Sequence, residues 1–130
     1  MCIIVNENGI KISYDLVRQA MKGRRYPMSL VGEDAKAVMR VVNIGIDCHL
    51  EACFVPDRGD EYGPEERKVN GRTFIVALKC KVSAESLPVL LRRLFENEQD
   101  GNETAANLAS GILETLGIDE YGHYNPEEKP

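Results

Sequence analysis

The stretch IGIDCHLEACF, residues 44–54, alternates apolar and polar residues. Alternation with a period of two is typical of a β-strand that has one buried face. A second stretch, FIVALKCKV at residues 74–82, alternates in the same way. The two stretches predict one long antiparallel hairpin with strands at 44–55 and 72–83. In its first strand the apolar face is predicted to hold Ile44, Ile46, Cys48, Leu50, Ala52 and Phe54.

Matching the apolar faces of these two strands predicts their register. If the chain reverses near residue 64, Phe54 stands opposite Phe74 and Cys48 stands opposite Cys80. Each pair on that face is then apolar, whereas a slip of one residue would set apolar groups against polar ones. We therefore expect Cys48 and Cys80 to be cross-strand neighbours. A disulfide between them is sterically possible. In a reducing compartment, two buried thiols are the favoured state.

The segments before the hairpin predict two further strands and two helices. Asn8-Gly9 is a strong signal for a two-residue hairpin turn. Ser13 is a suitable cap for a helix that ends at Gly23, and residues 24–27 are interpreted as a basic connector. Residues 33–42 fit a helix whose acidic first turn suits the helix dipole, and a strand is the alternative for this segment.

The C-terminal part of the chain predicts a pair of helices and a disordered end. The first helix should begin near Ser86, because Pro88 is tolerated only in a first helical turn. The second helix should end at Gly117 in a Schellman-type stop. Residues 119–130 have little to bury, so we expect a disordered acidic tail.

These elements together predict an α+β fold in a single domain, residues 1–118. Its antiparallel sheet is built from the N-terminal hairpin and the long central hairpin, helices cover the sheet, and an αα pair follows. The 130 residues carry a net charge of −5 and include four cysteines. No basic leader or membrane-length apolar run is visible, so we expect a cytoplasmic protein with free thiols and no membrane partner.

The cluster CHLEAC, residues 48–53, raises the question of a metal site. His49-Leu50-Glu51 matches the H-x-E part of the zinc deaminase signature, but no P-C-x-x-C run completes it. Strand alternation also sets Cys48 on the opposite face from His49 and Cys53, so one ion cannot easily collect them. We therefore expect no metal ligands, no catalytic residues and no cofactor. A metal-dependent hydrolase that uses His49 and Glu51 is the third functional hypothesis.

The most basic stretch suggests a site for nucleotides or nucleic acid. It contains Arg18, Lys22, Arg24 and Arg25, followed by Tyr26, and arginines beside an aromatic ring can hold phosphate and stack on a base. The competing interpretation is that a helix C-terminus favours cations without any ligand. The acidic net charge weighs against broad contact with nucleic acid, so this partner is not favoured but stays open.

Residues 56–71 predict a polar loop that is long for a hairpin connection. Such loops are often functional, and the alternative is a flexible surface segment without a partner. The residues that would suit a polar protein contact are Arg58, Asp60, Glu61, Tyr62 and Arg67.

The leading functional hypothesis is a non-enzymatic protein-interaction or ligand-binding module of prokaryotic or phage type. We expect it to be a homodimer. One face of the predicted sheet has no helix assigned to it, and this face is either solvated or partly covered by a second subunit. Nucleotide or nucleic-acid binding through the basic stretch is the alternative.

Overall fold

The computed structural model describes residues 2–42, 46, 48–56, 67–69, 72–96 and 103–125. The elements in chain order are β1 (Ile3–Val5), β2 (Lys11–Ser13), α1 (Tyr14–Met21), β3 (Tyr26–Val31), α2 (Gly32–Val41), β4 (Cys48–Pro56), β5 (Arg67–Val69), β6 (Arg72–Val82), α3 (Leu87–Glu96) and α4 (Thr104–Leu116). Helices and antiparallel strand pairs form an α+β fold, which confirms the predicted class. That residues 1–118 form one domain stays a prediction.

The strands form two sheets. β1 pairs with β2, whereas β3, β6 and β4 lie side by side in that order and β5 also pairs with β6. We expected the N-terminal hairpin to join the central sheet, but the strand that joins it is β3, which includes Tyr26 and Pro27 of the predicted connector. Met28 is buried between exposed Pro27 and Ser29. This alternation is too short to predict a strand from the sequence, because a basic run directly precedes it. Pro27 is tolerated because β3 is an edge strand.

The central strands β4 and β6 pair as predicted, but their register differs from the prediction by two residues. Cys80 stands opposite Leu50, and Cys48 stands opposite Val82. A shift of two residues matches the same faces, so apolar matching alone cannot distinguish the two registers. Cys48 and Cys80 are therefore not directly opposite each other, and Cys80 is buried.

The connection between β4 and β6 contains a strand that the sequence interpretation missed. Val69 of β5 pairs with Arg72 of β6, so only Asn70 and Gly71 separate the two paired residues in sequence. Asn-Gly is a strong signal for such a hairpin, yet here it was interpreted as the end of a loop. β5 lies on the edge of β6 that faces away from β4, because Phe74 pairs with a residue of each strand.

Helices α1 and α2 agree with the prediction. The Ser13 hydroxyl accepts a hydrogen bond from the backbone N–H of Leu16 at 3.1 Å, which confirms the N-cap of α1. α1 ends where Lys22 takes the left-handed conformation, one residue before the expected stop at Gly23. α2 confirms the helix interpretation of residues 33–42, and it packs on β3 and β6.

The C-terminal helix pair is also confirmed. α3 begins directly after Ser86 and has Pro88 in its first turn. α4 ends in a Schellman motif, because the N–H of Ile118 donates to the Leu113 carbonyl at 2.9 Å and the N–H of Gly117 donates to the Glu114 carbonyl at 3.0 Å. The two helices and the inner face of the sheet contribute these buried residues to the core: Leu87, Leu90, Leu91, Leu94, Ala105, Ala109, Ile112, Leu78 and Val82.

Candidate functional site

Asn6 organises the turn between β1 and β2. Its Oδ1 accepts the backbone N–H groups of Asn8 and Ile10, each at 2.9 Å. Its backbone carbonyl accepts the N–H of Gly9, and its backbone N–H donates to the Ile10 carbonyl, both at 3.0 Å. Gly9 has a φ of 78°, whereas Asn8 is not in the positive-φ region. The predicted two-residue turn is therefore wrong, because this hydrogen-bond pattern closes a three-residue loop with its left-handed residue at Gly9.

The C-terminal segment contains a second turn with the same pattern. Oδ1 of Asp119 accepts the backbone N–H groups of Tyr121 and His123, each at 2.9 Å. The Asp119 carbonyl accepts the N–H of Gly122 at 3.0 Å, and its N–H donates to the His123 carbonyl at 2.9 Å. Gly122 has a φ of 83°. The two turns thus match in all four hydrogen bonds and in the position of the glycine.

This second turn corrects the predicted disordered tail. The sequences of the turns are NENG at residues 6–9 and DEYG at residues 119–122, each with an Asx residue, a glutamate and a glycine at the same positions. Residues 119–125 are held by local hydrogen bonds rather than by a hydrophobic stripe, which is why a burial argument missed them. Residues 126–130 lie outside the described part of the chain.

The two turns are bonded to each other. Nδ2 of Asn6 donates to the backbone carbonyl of Glu120 at 2.9 Å, and Asn6 is only 7% exposed. Gly122 lies against the first hairpin, since a Cβ atom at this position would be 3.2 Å from Cγ2 of Ile10. Asn6 therefore satisfies its buried polar groups by joining the N-terminal hairpin to the C-terminal turn.

A pocket of about 850 Å³ lies between these two turns and α4. Its carboxylates come from all three elements: Glu7, Glu114, Asp119 and Glu120. The Ser110 hydroxyl donates to the Glu7 carboxylate at 2.6 Å on one wall. Since the C-terminal end of α4 also carries negative dipole charge, the arrangement favours cations over anions.

Hydrogen bonds stabilise the charged form of Asp119. The backbone N–H of His123 makes the largest contribution that lowers the pKa of this carboxyl, partial desolvation opposes it, and Tyr121 and Asn125 add further hydrogen bonds. Nδ2 of Asn125 lies 3.1 Å from Asp119 Oδ2. Because its pKa is lowered, Asp119 is ionised near neutral pH. It can therefore accept the hydrogen bonds that stabilise the turn, but it is poorly suited to donate a proton.

The predicted basic site is divided in the structure. Nη1 of Arg18 lies 3.0 Å from an Asp15 carboxylate oxygen, and its Nε lies 3.5 Å from a Glu85 oxygen. Its guanidinium carbon also lies 5.8 Å from the centroid of the Tyr14 ring. Tyr26, the predicted stacking partner, is partly buried at the start of β3. Arg18 therefore has contacts within the protein, and its use in binding a ligand stays a prediction.

The other predicted cations lie at one end of the four-stranded sheet. Lys22 and Arg24 are exposed after α1, and Nη1 of Arg25 donates to the backbone carbonyl of Lys81 at 3.4 Å. Lys79 and Lys81 are exposed on the face of β6 that α2 does not cover. We call Arg24, Arg25, Lys79 and Lys81 the basic cluster. The alternation of β6 was the sequence signal for its two lysines, and only the pairing of β3 with β6 brings them beside Arg25.

The predicted interaction loop lies largely outside the described residues. Arg58, Asp60, Glu61 and Tyr62 are all in the undescribed part. Arg67 is in β5, where its backbone pairs with Phe74. The use of this loop for protein contact stays a prediction.

The residues CHLEAC form part of strand β4, as predicted. In the register of β4 and β6, His49 stands opposite Lys81 and Glu51 stands opposite Lys79. The side chains of residues 48–53 lie outside the described part of the structure, so the hypothesis of a metal-dependent hydrolase that uses His49 and Glu51 stays untested. Among the side chains that the structure describes, no group of three possible ligands is placed to hold a metal ion.

β4 forms one edge of the four-stranded sheet. It is nine residues long, it pairs with β6 without a bulge from Cys48 to Pro56, and among the described residues no strand pairs with its other side. Natural edge strands are commonly protected by charged side chains, especially lysine, by proline or by a bulge. The sequence CHLEACFVP has no lysine, its only proline is the last residue, and Glu51 is its one acidic residue. The opposite edge contains Pro27 near the start of β3.

The chain matches no protein-family model, and comparisons with curated proteins and with solved structures find no similar chain. Within the described ranges, the helices are too short or too polar to cross a membrane.

Proposed function

We propose that this protein is a non-enzymatic interaction module that acts as a homodimer. Its binding surface is the edge of β4 that no strand among the described residues pairs with. The nine-residue edge without lysine, internal proline or bulge is the observation that supports the proposal. Such an edge presents a row of backbone donors and acceptors, and another extended strand can pair with it. A closed twofold dimer covers two such edges at once and leaves none available for further growth.

The first test is the mass of the protein in solution. Light scattering at tens of micromolar should give twice the chain mass of 14.5 kDa. The mass should decrease towards that of one chain on dilution if the interface is of moderate affinity. A mass of one chain at every concentration would contradict the homodimer.

A second candidate function is the binding of an anionic polymer such as single-stranded nucleic acid. The observation in its favour is the basic cluster, in which the Arg25–Lys81 contact joins two segments that are distant in sequence. Cations on a solvent-facing surface of this kind contact phosphates without base specificity. Glu51 stands opposite Lys79 in the register and reduces the positive charge available there.

Fluorescence anisotropy with a labelled single-stranded oligonucleotide at low salt tests this candidate. Binding should weaken in the Lys79→Glu plus Lys81→Glu variant and should decrease as salt is added. Lys11→Glu is the control for one charge change, because Lys11 is exposed on β2 in the other sheet. Absence of binding by the parent protein would remove the candidate.

A further inference from the structure

We infer that β4 of one chain pairs antiparallel with β4 of a second copy, centred on Ala52, so that the two four-stranded sheets become one continuous sheet. The inference rests on the proposed homodimer and specifies its interface. A twofold axis perpendicular to the sheet relates two strands in antiparallel order, which is the geometry that a closed dimer of identical edges requires.

The two faces of the sheet restrict the possible centres of this pairing. In β6, Leu78 and Cys80 are buried on the helix-covered face, and Lys79 is exposed on the other. The joined sheet keeps its buried and exposed faces continuous only if residues of the same parity stand opposite each other. If the twofold axis passes through a residue of β4, odd-numbered residues pair with odd-numbered residues and the condition is met. If the axis passes between two residues, odd-numbered residues pair with even-numbered ones and the condition is not met.

Ala52 is the favoured centre among the residue positions because it is the middle of Cys48–Pro56. Centring there pairs all nine residues of the strand, whereas each neighbouring centre leaves residues at both ends unpaired. Leu50 then stands opposite Phe54 of the second copy, so the positions of one face pair apolar with apolar. Centring on Glu51 would set this carboxylate directly opposite itself, which destabilises a cross-strand pair.

The proposed register sets Glu51 of each chain opposite Cys53 of the other. A charge placed at residue 53 therefore meets the Glu51 carboxylate twice in each dimer, once on either side of the dyad. Cys53→Glu creates two like-charge pairs and Cys53→Lys creates two opposite-charge pairs, although both variants replace the same thiol by a long charged side chain.

The test compares the dimer dissociation constants of these two variants by sedimentation at several concentrations. Cys53→Glu should dissociate about tenfold more readily than Cys53→Lys, because like charges directly opposite each other repel and opposite charges attract. Ser29→Glu and Ser29→Lys are the control pair, because Ser29 is exposed on β3 at the other edge of the sheet. The two control variants should dissociate equally.

The outcomes separate this inference from the proposed function. A parent protein that stays monomeric overturns the homodimer and the inference together. A dimeric parent with equal dissociation of the two Cys53 variants overturns only the Ala52-centred pairing. If Cys53→Glu does not fold, hydrogen exchange of the parent decides instead: alternate amides of β4 should lose protection on dilution, and exchange that is independent of concentration contradicts the inference.

Discussion

The side-chain amide of Asn6 donates to the backbone carbonyl of Glu120, and this bond joins the turns at the two ends of the described chain. Asn6 and Asp119 occupy equivalent positions in these turns, and each uses Oδ1 for the same two backbone N–H groups of its own turn. The two side chains differ in their second terminal atom. Asn6 has Nδ2 as a donor towards Glu120, whereas Asp119 has Oδ2, which accepts from Asn125.

Asn6→Ala should destabilise the protein, because two N–H groups of the turn and the Glu120 carbonyl lose their partner. We expect the free energy of unfolding to fall by about 2–3 kcal/mol, since Asn6 is buried and the groups left behind are partly buried. Urea denaturation followed by circular dichroism measures this change. Asn8→Ala is the matched control, because Asn8 is exposed and uses only its backbone N–H in the turn. Equal effects of the two substitutions would contradict the role of Asn6.

Gly122→Ala should cost more stability than Gly9→Ala. Both glycines have positive φ, so alanine is strained by about 1 kcal/mol at either position. A Cβ atom at Gly122 would also lie 3.2 Å from Ile10 Cγ2, whereas a Cβ at Gly9 meets nothing within 4 Å. Thermal unfolding of the two variants measures the difference. An equal loss would show that the second turn does not pack on the first hairpin as described.

The stability contributed by Asp119 should be lost in acid. Its pKa is lowered in the folded state, chiefly by the N–H of His123, so the carboxylate stabilises the fold above its unfolded-state pKa and ceases to do so as the pH falls through the folded-state value. Asp119→Asn keeps an Oδ1 acceptor, as Asn6 does in the first turn, but has no charge to titrate. The difference in unfolding free energy between parent and variant should therefore shrink as the pH falls from about 5 through the lowered pKa of Asp119. A difference that is constant with pH would contradict this interpretation.

Arg93→Ala should destabilise the protein more than Arg92→Ala. Nη1 of Arg93 donates to the Val41 carbonyl at the end of α2, at 3.2 Å in a partly buried contact. Its loss should cost about 1–2 kcal/mol, as for a hydrogen bond from a charged donor. Arg92 makes side-chain hydrogen bonds with Tyr14 and Glu96, but it lies on an exposed surface, where such pairs contribute little to the free energy of unfolding. Urea denaturation of the two variants provides the comparison, and a larger effect at Arg92 would contradict it.

Periodicity and cap residues predicted the α+β class, the four helices and the strand character of CHLEAC. Periodicity could not fix the register, because a shift of two residues matches the same faces and moves Cys80 from Cys48 to Leu50. Asn70-Gly71 carried a turn signal as strong as Asn8-Gly9, and recognising it would have revealed β5. β3 was missed because a basic run precedes it and Pro27 interrupts its pattern.

The joined turns could not be predicted from hydrophobic patterning, because they are held by Asx side chains. The shared pattern in NENG and DEYG was the available signal, and comparing residues 6–9 with residues 119–122 would have indicated an ordered C-terminal turn. The basic cluster depends on strand pairing between β3 and β6, which no local pattern specifies. The edge of β4 likewise follows from strand order rather than from the residues of β4 themselves.

The pairing of β4 with a second copy is tested most directly by NMR on a sample that mixes isotope-labelled and unlabelled chains. Isotope-filtered experiments on such a sample detect only contacts between different chains. Intermolecular backbone contacts should link Leu50 of one chain to Phe54 of the other, on both sides of Ala52. Intermolecular contacts that arise only from residues outside Cys48–Pro56 would contradict this interface, and so would a sample that yields none at concentrations where light scattering reports a dimer.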